Sequence, residues 1–270
     1  MKKIILLILC VFMITGMVWA FGAKDKGANK LICGVTLFPP MNYLDEGGNW
    51  TGFDTEFAQA VGAKLGMSVE FQQIEWTSKF IELQAGTISC IWNGMTANVV
   101  DSVTERPRFE DVDFTYSYML NQQAVVIRAA RASEFQTIED LIGKTVAAEA
   151  GSAGETIARN AVGETGGFIG TNAQIDTFIE VKAGAVDFAL IDVLLAEEMA
   201  GSGDHTDLMI ANIEMPAEVY AIGFPKGSPM TARVNQAIVE LFESGEMMRL
   251  ARKYGLETRL YMSRTRIEDM

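Results

Sequence analysis

Few residues in this chain have the types and spacing that bond-making chemistry asks for. The single histidine, His205, lies in the polar, turn-like stretch GSGDHTD, where an imidazole is solvated rather than poised. The cysteines, Cys10, Cys33 and Cys90, show no C-x-x-C spacing and no histidine partner, so no metal site and no cofactor are expected. No nucleophile elbow is present, and Glu149 is the one carboxylate placed to act as an acid or base. What the residues do offer is binding. Asn93-Gly94-Met95-Thr96 follows one apolar, β-type run, and Asp192 ends another. Ligands of open α/β sheets gather outside the carboxyl ends of strands, where helix N-termini present unpaired N–H groups. There an arginine can grip a carboxylate with two bonds, an aspartate can accept from an ammonium, and aromatic faces can cover an aliphatic stem. That chemistry suits a small zwitterion.

The elements that must position these groups alternate. LICGVTL, SVEFQQI and ISCIWNG read as strands, separated by the helical runs FDTEFAQAVGAKLG and SKFIELQAG. This order predicts α/β architecture with mainly parallel sheets flanked by helices. Phe53, Phe57, Ala60, Val61 and Leu65 give the first helix an apolar stripe, and Gly66 stops it. A second cycle starts near Gln123, with Thr137 and Asp140 spaced as a capping box. KFIELQAGTISCIWNG from Lys79 is echoed by TFIEVKAGAVDFALID from Thr177, with the two Phe-Ile-Glu triplets 98 positions apart. That interval fits one small α/β lobe following another. After VYAIGF come two amphipathic helices, MTARVNQAIVELFESG and EMMRLARKYG, which the second lobe does not need. The chain is therefore expected to cross back, giving residues 29–122 and 218–270 to lobe 1 and 123–217 to lobe 2. Two crossing strands make a hinge.

The chain has 22 Lys and Arg against 35 Asp and Glu, a formal charge of −13. That balance argues against nucleic acid and anionic lipid as partners. Residues 1–20 read as a cleaved signal peptide: MKK, an apolar run, then Val18-Trp19-Ala20, an A-x-A-like end. The run is short for a retained anchor, and Cys10 lies mid-run, a poor place for a lipid. The expected location is periplasmic. Whether Cys33 and Cys90 pair in that oxidising setting stays open.

FPPMNY, GNWTGFDTEFAQAVGAKLG, IEWTSKFIELQAGTISCIWNGMT, FEDVDFTYSY, LIGKTVAAEAGSAGET and VDFALIDVLLAE together resemble, in order, the motifs of the polar amino-acid binding proteins of ABC importers, solute-binding family 3. The resemblance covers the mature chain to about Gly255. It implies a two-lobe periplasmic-binding-protein fold (type II) and a monomer. It also implies a receptor that closes over a free amino acid and presents it to a membrane permease and its ATPase. It places Phe38 and Trp76 on the ligand's two faces, and Asn93, Gly94 and Thr96 at its α-carboxylate or α-ammonium. Ser152 and Ala153 fall at the helix N-terminus that meets the carboxylate, Asp192 at the ammonium, and Glu149 opposite the ligand's side chain. For the carboxylate arginine the stretch TANVVDSVTERPRFED is longer than the family's. Counting back from Phe114 selects Arg108 and the TER flavour selects Arg106; Arg108 is the expected one. Val35 stands where binders of basic amino acids carry Asp, which points toward an uncharged side chain. Each residue has a plainer reading: Phe38 and Trp76 as core, Asp192 and Ser152 as helix caps, Glu149 as a solvated charge. A dehydratase-like enzyme or a sensor docking on a receptor kinase are the alternatives on the same scaffold.

Overall fold

The computed structural model describes residues 30–270; the expected signal peptide, residues 1–20, lies outside them. Two sheets carry the site. In the first, Lys30–Val35 lies between Ser68–Gln73 and Cys90–Ile91, parallel to both. Gly223–Pro225 then pairs antiparallel with Cys90–Ile91 and with Val112–Phe114. Leu31, Cys33 and Val35 share one core with Phe53, Phe57 and Val61, because alternate residues of a strand face the same side. Ile32 packs on the opposite face with Ile74 and Ile88.

The first helix is Phe53–Leu65, and Phe53, Phe57 and Val61 of the expected stripe are buried while Ala60 and Leu65 are partly so. Gly52 precedes it at φ 115, where a Cβ would fall 2.3 Å from the Met41 carbonyl oxygen, so no other residue fits that turn. Helices Pro229–Glu243 and Glu246–Lys253 place Val234, Ile238, Leu241 and Leu250 in the core that holds Leu31 and Phe57. These helices cover a face of the first sheet that would otherwise expose apolar side chains worth about 1.5–3 kcal/mol each.

In the second sheet Phe188–Asp192, Thr145–Glu149 and Gly167–Thr171 run parallel, and Ser117–Arg128 joins antiparallel to the first of them, with Leu208–Ile210 beyond it. Each sheet is thus mixed, with three parallel strands on one side and antiparallel neighbours on the other. The antiparallel members come from the long strand Ser117–Arg128 and from the returning chain. Thr137 and Asp140 form the expected capping box, on a short 3-10 turn, Ile138–Leu141. The repeated phrase also folds alike: Lys79–Ala85 ends at Gly86 (φ 75) and Thr177–Ala183 at Gly184 (φ 74). In both the left-handed glycine caps the helix and turns the chain into a strand.

Ser117–Arg128 follows directly on Val112–Phe114 of the first sheet and pairs along its whole length. Its first half pairs with Ala217–Tyr220 and, on the other side, with the tail strand Leu260–Ser263. The tail sequence carries no clear strand signal, and its four residues acquire strand structure from this edge. Cys33 and Cys90 are paired in register with both thiols buried, free, and 3.7 Å apart, against about 2.05 Å for a bonded pair.

Candidate functional site

Asn93 leaves the carboxyl end of Cys90–Ile91 and is used as a clamp. Its Oδ1 accepts from the Thr36 N–H (3.0 Å) and hydroxyl (2.7 Å), while its Nδ2 donates to the Thr36 carbonyl (3.1 Å) and Asn42 Oδ1 (2.8 Å). Gly94 follows at φ 55, and its N–H donates to Asp54 Oδ2 at 2.7 Å. Burial pushes the Asp54 carboxyl up to about 7, against the pull of the Gly94 N–H and the Tyr118 hydroxyl. A Cβ on Gly94 would meet Phe38 at 2.6 Å. Phe38 therefore backs the glycine, edge-on to Tyr220 at 6.5 Å between ring centres.

Beyond Gly94 the chain forms a charged knot. Arg108 is 1% exposed. Its Nε donates to Asp101 Oδ2 (2.9 Å), Nη1 to the Thr96 carbonyl (2.8 Å) and Nη2 to the Gly151 carbonyl of the facing wall (3.0 Å). Arg106 is exposed and pairs with Asp111, so the structure selects Arg108 as the inward arginine. Lys79 opens its helix fully buried, bound to Asp101 Oδ2 at 2.7 Å and donating to the Gly151 carbonyl at 3.0 Å. Burial, then repulsion from Arg108, lowers the Lys79 ammonium to about 8, although Asp101 and Glu149 hold it up. Burial works to raise Asp101, but Arg108 and Lys79 outweigh it and keep that carboxyl below the ordinary range. Trp76 lies buried beside this knot, its ring centre 5.5 Å from the Lys79 ammonium.

The facing wall is built from strand ends of the second sheet. Glu149 ends one strand, and Ser152 caps the helix Ala153–Val162, its hydroxyl accepting from the Glu155 N–H at 3.1 Å. Ala153 and Gly154 stand in that helix's first turn, whose N–H groups have no acceptor within the helix. Asp192 ends the neighbouring strand without capping the helix that follows. Its carboxylate instead accepts from Asn121 Nδ2, from Gln174 Nε2 and from Gln123 Nε2 (3.0 Å). Glu218, on the returning strand, accepts from Thr96 Oγ1 (3.1 Å), Asn121 Nδ2 (2.7 Å) and Gln123 Nε2 (3.0 Å). Burial, then the Asp192 charge, pushes Glu149 up to about 8 and Glu218 up to about 7; burial also raises Asp192.

Trp76, Asn93, Gly94, Thr96, Arg108, Glu149, Ser152, Ala153 and Asp192 line one narrow cavity between the walls, together with Gln174. Of the residues expected there, Phe38 alone is set behind the lining. Gln174, Lys79, Asp101 and Glu218 were not foreseen. Gln174 sat in the short polar stretch TNAQIDT, which reads as a loop. Lys79 opened a run that reads as an ordinary half-exposed helix. The walls also touch elsewhere, through Ser102 Oγ to Glu155 Oε2 (3.0 Å) and Thr156 Oγ1 to the Val100 carbonyl (3.1 Å).

Residues 31–257 match the family model of the bacterial extracellular solute-binding proteins, family 3. The arginine-binding extracellular protein ArtP of Bacillus subtilis is 29% identical over 94% of this chain and 98% of its own length. An ancestral arginine-binding protein solved with arginine superposes with a TM-score of 0.77 at 27% identity, covering 84% of this chain and 98% of that one. A substrate-binding protein of an ABC uptake transporter from Streptococcus pneumoniae, solved with histidine, has a TM-score of 0.73 at 29% identity, covering 84% and 92%. These two-lobe relatives have the fold expected here.

Proposed function

The chain belongs to the bacterial extracellular solute-binding proteins, family 3, and from that premise we propose that its cavity takes one free amino acid and presents it to a membrane ABC permease and its ATPase. The observation that carries this reading is the pairing of one buried guanidinium, Arg108, with one buried carboxylate, Asp192, as linings of a single cavity. The guanidinium suits an α-carboxylate, helped by the N–H groups at the start of Ala153–Val162. Asp192 suits the α-ammonium, and Trp76 covers the stem between them. Relatives named for arginine and solved with arginine or histidine support the amino-acid class.

Residues 29–122 with 218–270 act as one lobe and 123–217 as the other, hinged at the crossing strands. A ligand that touches both walls does so only when they are closed, and that difference in contact drives the closure. The protein works without chemistry of its own, as an exported periplasmic monomer. A thermal-shift screen of the twenty amino acids tests the reading. Ligand far above its dissociation constant stabilises by several kcal/mol, so at least one amino acid raises the melting temperature in a concentration-dependent way. Twenty flat traces from a folded sample would overturn it.

A further inference from the structure

The cleft holds more carboxyl groups than one α-ammonium can answer. The buried carboxylates around the cavity include Asp101, Glu149, Asp192 and Glu218, and the buried cations there are Lys79 and Arg108. Asp101 takes both cations itself, at 2.7 and 2.9 Å, and their remaining reach across the cleft goes to the Gly151 carbonyl. Asp192 and Glu218 share the neutral amide donors of Asn121 and Gln123. Glu149 has only the Thr36 hydroxyl and the more distant charges of Lys79 and Arg108 to draw on. It lines the cavity at 2% exposure, and its Oε1 is buried with no hydrogen-bond partner among the described residues.

A buried acceptor left without a donor costs about 1–3 kcal/mol, more for a charged group. A fold that keeps one has a use for it. An amino acid held by Arg108 and Asp192 supplies one carboxylate and one ammonium, and leaves Glu149 as it was. A second positive group on the ligand would meet it. Behind the lining, Asn121 Oδ1 and Gln123 Oε1 are also buried without partners, and they too are acceptors. The surplus on this wall is in groups that receive hydrogen bonds, which suits a donor-rich guest.

We propose that Glu149 is the acceptor for a second cationic group, so that the cleft prefers amino acids with an ammonium or guanidinium side chain; this rests on the amino-acid reading above. Val35 had pointed the other way, but it is wholly buried in the strand core. The counter-charge for the side chain comes instead from the facing wall, through Glu149.

Titration calorimetry on the mature chain tests this, with L-arginine, L-lysine and L-ornithine against L-glutamine and L-leucine, for the native protein and for Glu149→Gln. The native protein is expected to bind its best basic amino acid at least about tenfold more tightly than either neutral one. In Glu149→Gln that ratio collapses toward one. A neutral amino acid bound as tightly as any basic one by the native protein overturns the proposal, whatever the variant does. So does an unchanged ratio in a variant whose melting curve shows it folded. Absence of binding by every amino acid would instead sink the function on which the proposal rests, and the proposal with it.

Discussion

Lys79 Nζ and Arg108 Nη2 converge on one acceptor, each 3.0 Å from the Gly151 carbonyl oxygen. Two cations tolerate that approach because Asp101 lies between them, bound to both. The shared carbonyl belongs to the wall that carries Glu149 and Ser152, so this bond joins the two sides of the cleft. In the proposed complex a ligand carboxylate would take the place of that carbonyl on the Arg108 fork.

Arg108→Ala is expected to weaken amino-acid binding by about 3 kcal/mol or more, because it leaves a ligand carboxylate desolvated and unpaired. Arg106→Ala, on the exposed neighbour, should leave affinity within about twofold. Titration calorimetry of both reads the contrast, and an Arg108→Ala protein with native affinity would remove that residue from the site.

Gly151→Ala tests closure. Gly151 has φ 80, and a Cβ there would meet the Thr77 Cα at 3.0 Å and the Thr77 N at 3.1 Å. The clash is with backbone across the cleft, so the walls cannot yield by turning a side chain. The left-handed conformation adds strain of about 1–3 kcal/mol. Small-angle scattering should show a larger radius of gyration for the variant with saturating ligand than for the native protein. Identical closed shapes would show that the approach at Thr77 plays no part.

Stability of the ligand-free protein should fall as pH rises through neutrality. Glu149, Glu218 and Asp54 are raised to about 8, 7 and 7 from ordinary values of 4.5, 4.5 and 3.8. Between those limits the folded chain holds more protons than the unfolded one, so the free energy of unfolding decreases with pH. The groups facing Glu149 are Asp192, which raises it, and Lys79 and Arg108, which oppose the rise. Melting temperatures across pH 5–8, roughly the window in which these acids ionise, should decline. A flat or rising curve would mean the buried acids are better solvated than their burial implies.

Lys79→Met isolates the opposite sign. The Lys79 ammonium is lowered to about 8 from 10.5, so between those values the unfolded chain binds the extra proton and stability rises with pH. Methionine has no such group. Denaturant unfolding near pH 8 and near pH 10 should show the variant losing ground to the native protein at the higher pH. Equal differences at both would place the lysine's proton affinity near its ordinary value.

Much of this site was legible because it lies where strands end and helices begin. Asn93 and Asp192 were readable from the echo of one helix-glycine-strand phrase in another, which folds alike twice, and Ser152 from the resemblance. The lengthened stretch before Phe114 left two arginines in play, and burial alone separates them. What stayed hidden depends on distant pairing. Lys79 looks like a surface lysine until Asp101 and Gly151 are brought to it, and Asp101 sits in the least regular part of the chain. Glu218 looks like the solvent side of a strand until Asn121 and Gln123 arrive across the crossing. The same holds for sheet direction: alternating strands and helices announce the parallel strands, whereas the antiparallel ones come from chain that returns late.

The tail strand Leu260–Ser263 rides on the edge of Ser117–Arg128, so a swing about that segment carries the last residues with it. If the jaws close on a ligand as proposed, an environment-sensitive dye attached near Ser263 would register the movement, turning the molecule into a reagent for measuring its own guest.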